Sequence, residues 1–218
     1  MLKFAFFLIL GLTNLQAQTS IAVSKKFLAL GDSYTIGESV SEQERWPEQL
    51  AEILQSKGQR IEKPRIIAKT GWRTDQLQKA IEDAHLNNEY DLVSLLIGVN
   101  NQYQDKSIEG YTVEFAELLQ MAVDLSGGKK ENVFVVSIPD YGFTPFGKSK
   151  QSDISKAIDQ YNHVNREITL KHGIKYVNIT DLTRDGLVKP EYVAGDGLHP
   201  SGKMYSLWVE RIVESLEK

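Results

Sequence analysis

The sequence predicts an α/β fold in which a parallel sheet of five strands is covered on both faces by helices. Two observations carry this. Short apolar runs alternate along the chain with stretches whose apolar residues recur at steps of three and four. The runs are also nearly continuous in apolar character, as strands buried on both faces must be. No internal repeat, low-complexity tract or linker divides the chain, so one domain is expected.

Each element has its own signal. Lys26–Leu30 (KFLAL) is an apolar run ending at Gly31, the first strand. Leu50, Ile53 and Leu54 follow at helical spacing, and Gly58 stops that helix. Pro64–Ala68 (PRIIA) reads as the second strand. Leu77, Ala80, Ile81 and Ala84 form the next stripe, with Thr74 as the expected N-cap. Tyr90–Ile97 (YDLVSLLI) is the strongest strand signal. Tyr111, Phe115, Leu118, Ala122 and Leu125 mark a helix ended by Gly127 and Gly128. Val133–Ile138 is the fourth strand, closed by Pro139. Ile154, Ala157, Ile158, Tyr161 and Val164 mark a helix, and Ile174–Ile179 the fifth strand. The last helix starts near Ser201 and carries Met204, Trp208, Ile212 and Leu216 on one side.

The 218 residues carry 25 Lys and Arg against 29 Asp and Glu, a formal charge of -4. A sequence pI near 5.6 argues against nucleic acid as a partner, because neutralising phosphates needs concentrated basic residues. Cysteine is absent, which removes disulfides, thiolate metal sites and cysteine nucleophiles. Residues 1–17 have the order of a signal peptide. Lys3 gives a basic start, Phe4–Leu12 an apolar run interrupted only by Gly11, and Ala17 a small residue for cleavage. The run is too short to cross a bilayer, which takes about 20 apolar residues. The expectation is a single domain over residues 18–218, secreted or periplasmic, with no membrane anchor after cleavage. About 200 residues can bury enough apolar surface to be stable without disulfides.

In an open parallel sheet the ligand crevice lies beyond the carboxyl ends of the strands. Four turns there carry polar groups: Gly31-Asp32-Ser33-Tyr34, Thr70-Gly71-Trp72-Arg73, Gly98-Val99-Asn100-Asn101 and Pro139-Asp140-Tyr141-Gly142. Asp196-Gly197-Leu198-His199-Pro200 precedes the last helix. Together they hold what a serine hydrolase needs: a hydroxyl, a base, a group to orient the base, and oxyanion donors. Ser33 is the candidate nucleophile, His199 the base and Asp196, three residues earlier, its partner. The backbone amides of Ser33 and Gly71 and the side-chain amide of Asn100 are candidate oxyanion donors. Each piece also has a plain reading. Gly31-Asp32-Ser33 could be an ordinary turn, Asp196 a turn residue, His199 a helix cap, Gly71 a turn glycine, and Asn100 a loop-bonding residue. Their order and placement favour the catalytic set.

On these blocks the chain resembles the SGNH hydrolases, also called GDSL esterases and lipases. Gly31-Asp32-Ser33-Tyr34, Gly71, Gly98-Val99-Asn100 and Asp196-Gly197-Leu198-His199 fall in the family's order and cover essentially the whole chain after the first segment. The resemblance implies a flavodoxin-like three-layer α/β/α sandwich, Ser33, His199 and Asp196 as catalytic residues, and Gly71 and Asn100 completing the oxyanion hole with Ser33. No cofactor and no metal are expected. Many members place aspartate after the block-three asparagine, whereas this chain has Asn101, which removes a charge near the site.

Other readings fit less well. The G-x-S-x-G elbow fails at Thr35, and no lysine near Gly31 completes a phosphate-binding loop. His85, His163 and His172 lack metal-ligand spacing. A flavin or nucleotide carrier shares the topology but has no use for the Asp-His pair, and a non-catalytic binding protein would not need the full set. Tyr34, Trp72, Tyr103, Tyr141, Phe143 and Phe146 fall on loops at the active edge, where they could line an acyl pocket, stack on a sugar or pack the loops. Tyr34, Trp72, Tyr103 and Tyr141 are the candidate substrate contacts. The expected substrate is a small or single-chain carboxylic ester. Lysophospholipid and O-acetylated carbohydrate are alternatives, and export disfavours an intracellular acyl-CoA.

Overall fold

The computed structural model describes residues 24–218. The segment read as a signal peptide, residues 1–17, lies outside the described residues. Five strands form one parallel sheet in the order β2-β1-β3-β4-β5: β1 Phe27–Gly31, β2 Arg65–Ala68, β3 Leu92–Leu96, β4 Val133–Val136 and β5 Lys175–Val177. The central strands β1 and β4 are buried at every residue, while the edge strands β2 and β5 are only half covered. That difference explains the continuous apolar runs read for the centre. The paired segments are shorter than the runs that announce them. Ile97, Ile138 and Ile179 continue the apolar pattern and are buried, but they lie past the ends of the strands.

Helices cover the sheet in two layers. On one side α2 (Trp46–Ser56) packs on α8 (Gly202–Leu216), and on the other α3 (Thr74–Asp83) packs on α5 (Ile108–Leu125), which packs on α6 (Gln151–Lys171). The three-layer α/β/α sandwich expected from the sequence is therefore the observed architecture. Trp46 of α2 sits fully buried, its ring 6.3 Å from Phe27 and 6.4 Å from Phe134. Such a side chain contributes on the order of 3 kcal/mol through burial. Three short helices, α1 (Ser33–Ile36), α4 (Val99–Tyr103) and α7 (Thr180–Thr183), follow the carboxyl ends of β1, β3 and β5. Among the described residues no helix is long and apolar enough to cross a membrane.

One boundary differs from expectation. Helix α3 begins at Thr74 itself, with Arg73 in the cap position rather than Thr74. Gln76 Oε1 accepts from the Arg73 amide at 3.1 Å, and Asn101 Oδ1 accepts from the Thr74 amide at 3.1 Å. A side chain from the loop after β3 thus replaces the local cap.

The register places the site. Gly31 lies opposite Ala68 of β2 and Leu96 of β3, so three strands end at one level. Strand order reverses between β1 and β3, which is where an open α/β sheet leaves its crevice.

Candidate active site

Gly31 ends β1 where the chain must turn sharply against β3. A Cβ there would run into Thr35 Oγ1 and the Leu96 carbonyl, so glycine is required by close approach. The next residue, Asp32, caps α1 by accepting from the Tyr34 amide at 3.0 Å. Ser33 is therefore the first residue of the short helix, and it is 5% exposed. Asp32 is fully buried, and its second oxygen, Oδ2, makes no hydrogen bond among the described residues. Burial pushes its carboxyl up to about 7, against the opposing pull of the Tyr34 amide.

Asp196 and His199 sit on the turn before α8, whose first turn is capped by Ser201 Oγ. Asp196 Oδ2 lies 2.6 Å from His199 Nδ1, and Oδ1 accepts from the Leu198 and His199 amides at 2.9 and 3.0 Å. Ser39 Oγ donates to Oδ2 as well, at 2.6 Å. Partial burial raises the carboxyl, but the donors from Ser39, His199 and Leu198 outweigh it and hold Asp196 well below the usual carboxylate range. An ionised carboxylate can only accept, so Nδ1 carries the proton of the shared bond and the neutral ring keeps its lone pair at Nε2.

The two turns meet at a cavity of about 300 Å³. Ser33, Gly71, Asn100 and His199 all line it. Gly71 takes φ 83°, and the Trp72 amide donates to the Lys69 carbonyl at 3.2 Å across the turn, a left-handed position that glycine fills without strain. Asn100 donates one amide N–H to the Trp72 carbonyl at 3.0 Å, which fixes the side chain and leaves its second N–H for a ligand. Among the described residues no hydrogen bond joins Ser33 Oγ to His199; both line the one pocket.

The candidate substrate contacts divide. Tyr103 and Tyr141 line the cavity, as does Phe146. These three rings form a cluster with centroids 6.2 to 6.3 Å apart. Tyr34 also reaches the cavity but is 3% exposed, with its ring 5.5 Å from His199 and 6.4 Å from Trp208; it is chiefly a floor for the imidazole. Trp72 does not line the cavity and packs against the core, its carbonyl serving Asn100. Phe143 also stands off, beneath the Arg184 guanidinium. Asn101 is 1% exposed and turned to α3, where Oδ1 accepts from the Thr74 amide and Nδ2 donates to Thr74 Oγ1 at 2.6 Å. Both roles together suit an amide, since a carboxylate could only accept.

The loop from 140 to 150 forms the rim. Asp140 Oδ1 accepts from the Gly142 amide at 3.0 Å and Oδ2 from Arg184 Nε at 2.9 Å. Phe146 donates its amide to the Gly197 carbonyl at 3.0 Å, so the rim is tied to the turn that carries His199. Ser39 had no signal in the sequence, and Asp140, though on one of the turns picked out at this edge, had no assigned role, because their partners lie 157 and 44 positions away. Among the described residues no group of three or more His, Asp or Glu is arranged to hold a metal.

The comparisons with known proteins concern the fold and the family. The structure is similar to that of TesA, with a TM-score of 0.70 at 15% identity over 88% of this chain and 98% of that one. It is similar to a lipase/acylhydrolase from Enterococcus faecalis, with a TM-score of 0.67 at 21% identity over 88% and 95% of the two chains. It is also similar to Axe2, an acetylxylan esterase from Geobacillus stearothermophilus, with a TM-score of 0.68 at 18% identity over 89% and 94%. At these identities the likeness speaks for the fold. No protein of curated function matches the sequence. The model of the GDSL-like lipase/acylhydrolase family matches residues 29–207, a span running from β1 through the His199 turn into α8. The chain belongs to the GDSL-like lipase/acylhydrolase family, and with that membership it is a carboxylic ester hydrolase.

Proposed function

We propose that the protein hydrolyses small or single-chain carboxylic esters through an acyl-enzyme on Ser33. Ser33 Oγ bonds to the ester carbonyl carbon while its proton passes to His199 Nε2. The carbonyl oxygen takes up the negative charge and is held by the backbone amides of Ser33 and Gly71 and the free N–H of Asn100. Each such donor is worth about 3 kcal/mol in the transition state. Collapse breaks the bond to the leaving oxygen, which departs as the alcohol with the proton from His199. Water then adds to the acyl carbon and gives a proton to His199; the bond to Ser33 Oγ breaks, Oγ takes that proton from His199, and the carboxylic acid leaves. Asp196 keeps the imidazole in the tautomer that leaves Nε2 free.

The observation that carries this reading is the Asp196–His199 contact of 2.6 Å on the wall of the cavity that Ser33 lines. Ser33→Ala is expected to lose at least about 10³-fold in hydrolysis of nitrophenyl acetate while remaining folded. A phosphonylating probe should add its mass to Ser33 in the native protein. Undiminished hydrolysis by Ser33→Ala would overturn the assignment, and absence of labelling together with absence of hydrolysis would favour a binding protein on the same scaffold.

The rim supports an acyl or aryl group over a sugar. Its rings are tilted against one another by 46° to 73°, forming a cup where a pyranose would need one flat face. The signal-like N-terminal segment supports a secreted or periplasmic location, which favours dissolved esters and lysophospholipids over acyl-CoA.

A further inference from the structure

The carboxylate of Asp196 has four donors, and three of them belong to its own turn: the amides of Leu198 and His199 and the ring of His199. The fourth, Ser39 Oγ, comes from a different segment, the one that leaves α1, six residues after Ser33. Ser39 donates to Oδ2, the same oxygen that faces His199 Nδ1, at the same 2.6 Å. Its backbone is the second observation. Ser39 has φ 66°, a left-handed conformation that strains a residue with a Cβ and that glycine adopts freely. A serine standing where glycine would be easier is explained by what its hydroxyl does. The residue before it reinforces the link, since the Glu38 carboxylate accepts from Thr70 Oγ1 beside Gly71. Ser39 does not line the cavity, so it does not touch substrate.

We propose that Ser39 is a positioning residue of the catalytic set, holding the Asp196 carboxylate in the plane that His199 needs and locking the base turn to the nucleophile turn. The proposal rests on Ser33, His199 and Asp196 acting as the catalytic residues. It separates two properties that usually fall together. Ser39→Gly removes the hydroxyl and relieves the backbone. Ser39→Thr keeps a hydroxyl but puts a β-branched residue at positive φ, which strains the turn.

The test measures kcat and KM for nitrophenyl acetate together with thermal melting. Ser39→Gly is expected to remain folded and to melt within a few degrees of wild type, because backbone relief offsets part of the lost hydrogen bond, while kcat falls about 10- to 100-fold. KM should stay within about twofold, because no substrate contact is removed. Ser39→Thr is expected to melt lower yet retain more of kcat than Ser39→Gly. A folded Ser39→Gly with wild-type kcat, or one altered only in KM, would overturn the proposal. Ser33→Ala measured alongside keeps the two ideas apart. If Ser33→Ala is inactive and Ser39→Gly is unimpaired, Ser39 alone is misassigned. If Ser33→Ala is active, the catalytic assignment beneath it fails.

Discussion

Asp32, on the turn after β1, and Asp196, on the turn before α8, flank the same pocket. Asp32 is fully buried, caps α1 through one oxygen and leaves the other without a partner among the described residues. Asp196 keeps about a third of its side-chain surface, 31%, and takes four donors. One carboxyl is pushed up to about 7 and the other is held well below the ordinary range. What separates them is the number of donors each receives against the water each has lost. The aspartate inside the Gly-Asp-Ser motif, next to Ser33, is built as a cap, and the one 163 residues beyond Ser33 is built to stay charged.

The sharpest break between the two is catalytic. Asp196→Asn removes the charge and offers an N–H where Nδ1–H needs an acceptor. It is expected to cost on the order of 10³ to 10⁴ in kcat through the wrong tautomer. Asp32→Asn keeps an oxygen for the Tyr34 amide and is expected to stay within about tenfold of wild type. Steady-state kinetics of both variants on one short ester decide the matter. Equal losses would mean that the nucleophile turn depends on a charged Asp32, and the contrast drawn here would fail.

Stability against pH separates them with opposite signs. Asp32 binds its proton more tightly folded than unfolded, so stability is lost as pH rises from its ordinary value of 3.8 through about 7. The gap amounts to a few kcal/mol, at about 1.4 kcal/mol per unit. Asp196 behaves in reverse. Its donors contribute stability above 3.8, and that contribution is lost as pH falls through its depressed folded value. Thermal melts of Asp32→Asn and wild type should therefore diverge with rising pH, the variant being the more stable at about pH 8 and the two converging at about pH 4. A difference that does not change over this range would show that Asp32 is not buried as a carboxyl acid.

Much of this was legible in the sequence, for reasons that also mark where legibility stops. The five strands and four of the long helices announce themselves because burial on both faces or along one stripe repeats locally. The helix of α3 was legible too, but its cap was not, because Asn101 reaches it from 27 residues away. Helices α1, α4 and α7, of four or five residues, are too short to show a period. That Ser33 and His199 would share one cavity, with Asp196 beside His199, could be expected because each follows a strand or precedes a helix within a compact motif. Ser39 and Trp72 could not be sorted the same way. The role of one depends on a partner 157 positions off, and the orientation of the other depends on which side of a turn the core lies.

The smallest expected effect comes from the rim, which differs from both aspartate turns in being open. Tyr103 is 56% and Phe146 51% exposed, beside a cavity of about 300 Å³. Rings this open can gain burial when a substrate chain lies on them, at about 0.8 kcal/mol per methylene, or close to fourfold in kcat/KM. Dissolved acyl esters of increasing length should follow that slope until the cavity is full. Phe146→Ala should flatten it by removing one wall of the cup, with little change in the acetyl rate or in melting temperature, since an exposed ring adds little to the core. Because the rim is tied by the Phe146 amide to Gly197 and by Asp140 to Arg184, no loop has to open at an oil–water surface, and rates should rise smoothly through the solubility limit. Two results would displace this account: a chain-length slope identical in Phe146→Ala and wild type, or activity that appears only above the micelle threshold. The first would move acyl selection away from the aromatic cup, and the second would make the exposed rings a lipid-surface contact.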